Sequence, residues 1–95
     1  MNIQNILKEI NDVFLSLGFV EQPVGKNHFS YLRRKNCYCK ITFLKDFGAF
    51  VIESANNAQD AENGILEDGD LYFIDTPTEK LLQQLKEDIR NYYME

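Results

Sequence analysis

Seven apolar residues at helical spacing dominate the start of the chain. Ile3, Ile6, Leu7, Ile10, Val13, Phe14 and Leu17 recur at i, i+3, i+4 and i+7 through four turns. Lys8, Glu9, Asn11 and Asp12 fall on the other side. A helix with one apolar stripe must bury it against a second element, so the rest of the chain has to supply a surface. Asn2 is placed to cap this helix and Gly18 to end it at C′. Further on, the period falls to two. Cys37, Cys39, Ile41 and Phe43 alternate with Tyr38, Lys40, Thr42 and Leu44, which is a strand with one apolar and one wetter face. A helix stripe and a half-buried strand together predict helices laid on a sheet.

The remaining elements follow from punctuation and periodicity. An extended segment starts over Phe19–Glu21, and Pro23 to Asn27 reads as a loop. His28–Arg34 is a strand joined to Cys37–Leu44 near Lys35-Asn36. Asp46-Phe47-Gly48 is a turn into a third strand, Ala49–Glu53. Ala58–Asn63 fits a short helix ended by Gly64, and residues 65–70 read as a loop before a short fourth strand, Leu71–Ile74. Thr76-Pro77-Thr78-Glu79 predicts a helix start, with Thr76 at N-cap, Pro77 at N1 and Glu79 closing a capping box. Leu81, Leu82, Leu85, Ile89, Tyr92 and Tyr93 form the stripe of that last helix. The expected architecture is a single α+β domain over residues 1–95. It has an antiparallel sheet of about four strands with N- and C-terminal helices packed on it, in the order α-β-β-β-α-β-α.

At 95 residues the chain can bury one modest core. The seven Phe and five Tyr supply its bulk. No run of about 18 apolar residues is present, so no membrane helix is expected. Lys8 and Glu9 stand where a signal peptide needs an apolar stretch, so a cytoplasmic location is expected, with Cys37 and Cys39 as reduced thiols.

Charge is sorted along the chain. From Met1 to Lys45 there are seven Lys/Arg against three Asp/Glu. From Asp46 to Glu95 there are three Lys/Arg against twelve Asp/Glu, giving the net −5. Between Asp46 and Glu79 there are nine carboxylates and no Lys or Arg. Such a field repels nucleic acid and attracts a basic protein surface. Glu67-Asp68-Gly69-Asp70 places three carboxylates within four residues. Like charges this close cost stability unless a cation, a partner's Lys or Arg, or a hard metal ion sits nearby. The spacing is not that of an EF-hand, and a solvated turn uses the same residues. Glu53, Asp60 and Glu62 extend the acidic region, so the candidate partner-binding set is Glu53, Asp60, Glu62, Glu67, Asp68 and Asp70.

The other candidates read as structural. Cys37 and Cys39 share a strand face about 7 Å apart by strand rise, without the further ligands a zinc site needs. C-x-C is also not the redox spacing, so both are expected as small buried hydrophobes. His28 is the single histidine and has no nucleophile motif around it. Arg33-Arg34-Lys35 between Tyr31 and Tyr38 has too few charges for nucleic acid and reads as a hairpin tip. Tyr92 and Tyr93 are expected to clamp the last helix to the sheet; adjacent helical positions cannot both face fully inward, and one left exposed at the rim is a candidate interface anchor. No catalytic residues, metal site or cofactor are implied.

Val51-Ile52-Glu53-Ser54-Ala55, then Ala58-Gln59-Asp60-Ala61-Glu62-Asn63, then Leu66-Glu67-Asp68-Gly69-Asp70-Leu71-Tyr72 and a capped terminal helix resemble a known pattern. It is similar to that of small immunity proteins of bacterial polymorphic toxin systems, in particular the TriTu-like group. The likeness covers roughly the second half of the chain. It implies a non-catalytic protein that binds a cognate toxin and neutralises it. Charge reasoning adds that the toxin would present a basic surface, and a homodimer stays open. The alternative is a small acidic chaperone or adaptor of the secretion-chaperone kind, holding a client segment in an apolar groove.

Overall fold

The computed structural model describes residues 2–25 and 29–94. Three helices, α1 (Ile3–Ser16), α2 (Ala58–Glu62) and α3 (Thr78–Asp88), accompany five strands. These are β1 (Val20–Val24), β2 (Phe29–Arg34), β3 (Cys37–Leu44), β4 (Ala49–Ala55) and β5 (Glu67–Phe73). A single π-helical turn, Ile89–Tyr93, continues α3. The strands form one antiparallel sheet in the order β1-β2-β3-β4-β5, so spatial order repeats chain order.

The expected α+β class holds, with five strands rather than four and the order α-β-β-β-β-α-β-α. The added strand is β1, which pairs with β2 from Val20↔Arg33 to Val24↔Phe29 and takes in Pro23 and Val24, expected in a loop. Proline fits there because β1 is an edge strand, where an N–H facing solvent is no loss to the ladder. A second correction concerns Glu67–Asp70, expected in a loop and found in β5. Pairing with β4, which runs on to Ala55, overrides the poor strand propensity of Asp and Gly. An extra residue on β5 opposite Ile52 absorbs the mismatch as a bulge: Val51 pairs with Leu71, and Glu53 with Asp68. A third correction concerns the start of α3. The Thr76 N–H donates to the Phe73 carbonyl at 3.1 Å, which holds Thr76 in the turn leaving β5. Pro77 becomes the N-cap, its carbonyl accepting from the Leu81 N–H at 3.0 Å, and no side-chain cap forms.

α1 and α3 cover one face of the sheet. Ile6, Ile10, Phe14, Leu81, Leu85 and Ile89 close on Leu32, Cys39, Phe50, Ile52 and Tyr72. Each such side chain contributes roughly 1.5–3 kcal/mol by leaving water. Phe14 meets Phe19 edge-on with centroids 5.0 Å apart, which anchors the exit from α1. Asn2 caps α1 as expected, its side-chain oxygen accepting from the N–H groups of Gln4 and Asn5. Gly18 follows with φ 93°, the conformation that ends the helix.

On the opposite face the short α2 sets Ala61 against Val24, Tyr31, Tyr38 and Ala55. The Tyr31 hydroxyl donates to the Ala61 carbonyl at 2.8 Å and fixes α2 in place. α2 does not reach the far end of this face, where Leu71 and Phe73 are exposed. Among the described residues, no helix is long and apolar enough to cross a membrane.

Candidate functional site

Because the sheet is a meander, charge sorted along the chain becomes charge sorted across the sheet. Arg33 and Arg34 lie on β2, Lys35 on the β2–β3 turn and Lys40 on β3. Glu67, Asp68 and Asp70 lie on β5, at the outer edge. With neighbouring strands about 4.8 Å apart, the acidic edge sits roughly 14 Å from β2.

The six acidic candidates do not form one patch. Glu53 and Asp68 are register partners on β4 and β5, so their side chains share the face that α2 partly covers. Glu53 accepts a hydrogen bond from the Thr42 hydroxyl and stands opposite Lys40 in the β3–β4 register. Lys40 therefore flanks Glu53 on the side away from Asp68. Glu67 and Asp70 lie on the rim of a cleft facing the end of α3. Asp60 is held in the first turn of α2, where its N–H donates to Asn57 Oδ1 at 2.8 Å and its carboxylate accepts from Asn57 Nδ2 at 3.1 Å. Glu62 packs beside Gly25, just past β1 at the other edge of the sheet.

The focus of the acidic edge is the π turn. A π turn carries one residue more per turn than the helix it continues, and this one divides two adjacent tyrosines between two tasks. Tyr93 turns down and is half-buried, with its hydroxyl over the backbone of Gly69. A Cβ at Gly69 would overlap that oxygen, so a larger residue here has to displace Tyr93. Tyr92 stands 67% exposed beside it. Two open clefts meet at this pair. One, of about 380 Å³, is lined by Arg34, Lys35, Asn36 and Cys37. The other, of about 350 Å³, is lined by Glu67, Asp68, Asp70 and Tyr72. Both include Asn56, Tyr92 and Tyr93. The result is an aromatic ridge with a basic hollow on one side and an acidic hollow on the other.

A buried polar network ties β5 to α3 beside this ridge. Asp88 is 7% exposed and accepts from the Tyr72 hydroxyl at 2.6 Å and from Gln84 Nε2 at 3.0 Å. Burial, and then the hydrogen bond to Asp88, push the Tyr72 phenol up. Burial likewise raises Tyr93 to about 12, helped by the nearby Cys39, Cys37, Asp70 and Asp88. Charge reasoning on the sequence did not find this network. Its signal was available, since Asp88 falls on the apolar stripe between Leu85 and Tyr92, where a carboxylate has to be satisfied from inside.

The sulfurs of Cys37 and Cys39 lie 3.6 Å apart, closer than strand rise suggests, because the side chains lean together. Cys39 is fully buried, and its thiol is held protonated by the hydrogen bond to Cys37 and by burial. Cys37 borders the basic hollow. Arg33 is engaged within the fold: Nη1 donates to Gln22 Oε1 at 2.9 Å, Nε donates to the Lys35 carbonyl at 2.7 Å, and the guanidinium lies 5.6 Å from the Tyr38 ring centre. His28 lies outside the described residues. Among the described residues, no group of three or more His, Cys, Asp or Glu is arranged to hold a metal ion. No family model matches the chain, and no curated protein or solved structure is significantly similar to it.

Proposed function

We propose that this chain is a non-catalytic binding protein of the immunity type, which neutralises a toxin by occupying a basic surface on it. The observation that carries this reading is the acidic outer edge of the sheet, set beside the exposed ring of Tyr92. Tyr is among the residues enriched in interface hot spots, and polar groups make up the rim around such anchors. A fixed negative edge speeds encounter with a basic partner and makes it salt-dependent. A toxin that acts on nucleic acid has a basic cleft of that kind.

The test captures partners with the tagged full chain from its host at low salt, alongside an Asp68→Lys/Asp70→Lys variant. The expected partner is one basic protein that arrests growth when expressed alone and is tolerated when co-expressed with this chain. Affinity should fall, and its salt dependence flatten, in the variant. Capture of many unfolded clients, held equally by the variant, would instead support the chaperone reading and remove the acidic edge from the function.

A further inference from the structure

The two edges of the sheet are guarded differently. β1 has five residues and carries Pro23. β5 has seven residues, with neither proline nor a basic side chain. Among the described strands it pairs only with β4. The Ile74 N–H donates to the Gly48 carbonyl at 3.0 Å, which fixes the phase of the ladder. Antiparallel alternation then turns the backbone groups of Tyr72 toward β4 and those of Leu71 and Phe73 away from it. The side chains of Leu71 and Phe73 are 38% and 44% exposed on one face of the sheet. Outward-facing backbone groups beside exposed apolar side chains are a template for another strand.

Charge selects the occupant. Two copies joined edge to edge would bring together six carboxylates from Glu67, Asp68 and Asp70 on chains already at −5 each. A basic segment would be drawn to the same edge. We propose that the free edge of β5 takes up an extended segment of a protein partner as a sixth strand. That segment is basic where it passes Glu67–Asp70 and apolar where it passes Leu71 and Phe73. Backbone hydrogen bonds supply the register, and the alternating neighbours supply the specificity. The proposal rests on the binding-protein reading and specifies its mode of contact.

The experiment uses the full chain and a short fluorescent peptide, lysine-rich in one half and alternating Val and Thr in the other. A second peptide is N-methylated at alternate amides, which removes donors without changing charge, and a third replaces Lys by Glu. Leu71→Pro removes an outward N–H and no bond to β4, whereas Leu71→Thr keeps that N–H. The unmodified peptide should bind, and both N-methylation and Leu71→Pro should weaken it by about ten-fold or more. Leu71→Thr should stay within about three-fold, and the Glu peptide should not bind. If Leu71→Pro does not fold, as read by circular dichroism, the N-methylated peptide against the unaltered chain decides. The proposal is overturned by no binding at about 1 mM, by equal binding of the N-methylated peptide, or by a dimer that Leu71→Pro dissolves. Undiminished capture of a toxic partner by folded Leu71→Pro overturns this contact and leaves the immunity reading standing. Peptide binding that meets these expectations, with no toxic partner found, does the reverse.

Discussion

Gly69→Ala tests how tightly the aromatic ridge is tied to the acidic edge. A Cβ at this position would overlap the Tyr93 hydroxyl, lie 3.1 Å from the Ile52 carbonyl oxygen and lie 3.7 Å from Tyr93 Cζ. Gly69 does not occupy the left-handed region, so the backbone itself accepts alanine. The cost is therefore steric. Forcing an extra carbon into a packed site costs about 1–3 kcal/mol, and restricting the unfolded chain returns about 0.4–1 kcal/mol. The net expectation is a loss of about 0.5–2 kcal/mol. Removing the hydroxyl with Tyr93→Phe leaves the ring carbon at ordinary contact distance, so alanine should then be nearly neutral. The double-mutant cycle should show a coupling of about 1–2 kcal/mol. The chain has no Trp, so urea unfolding followed by far-ultraviolet circular dichroism is the assay, with midpoints compared at unchanged slope. An equal cost of Gly69→Ala in both backgrounds would refute the argument and leave the Ile52 carbonyl as the contact that matters.

Three further outcomes follow from the same region. Tyr72→Phe should lower stability by about 1.5–3 kcal/mol, because it strips a buried carboxylate of one of its two donors, and a loss below about 0.5 kcal/mol in urea unfolding would argue against that network. Tyr72 and Tyr93 both titrate above the ordinary phenol value of 10.0 in the fold, so the fold favours their protonated forms. Their contribution is complete below about pH 10 and falls as pH rises through about 12 for Tyr93 and higher for Tyr72, so urea midpoints should drop between about pH 10 and 11.5. Tyr93→Phe should soften that drop, and a flat profile would contradict it. In native protein treated with iodoacetamide, mass spectrometry should find Cys37 modified first and Cys39 only on unfolding, whereas equal native rates would contradict the burial of Cys39.

The elements legible in the sequence are those whose apolar periodicity is sustained over several residues. α1 buries Ile6, Ile10 and Phe14 as its spacing predicts, and β3 runs from Cys37 to Leu44 as its alternation predicts. Long-range pairing hid the others. Pro23 and Val24 read as a loop because the meaning of a proline there depends on β1 lying at an edge, a fact of topology. Glu67–Asp70 read as a loop because aspartate and glycine disfavour strands, yet β4 offered a partner and a bulge took up the mismatch. The candidate site was legible in part for the same reason. The acidic residues were evident by count, but their division between two faces of the sheet depends on register, and register is not a local property.

The order of the strands gives the charge pattern its consequence. The connection from β4 to β5, residues 56–66, is long enough to carry β5 elsewhere in the sheet. Had it done so, Asp68 and Asp70 would lie between strands, with both backbone edges used and their charges close to other ladders. Instead β5 returns beside β4 and remains outermost, so its carboxylates keep their water and its outer backbone groups keep their capacity to pair. The same carboxylates repel a second copy of the edge. An acidic edge strand is thus guarded against itself while staying open to a basic strand, and this selectivity needs no pocket. On this reasoning, replacing Asp68 and Asp70 by Asn should increase self-association as it weakens attraction to a basic partner. Sedimentation at several protein concentrations reads the first effect, and a monomer as firm as the unaltered chain would show that the bulge, rather than the charge, guards the edge.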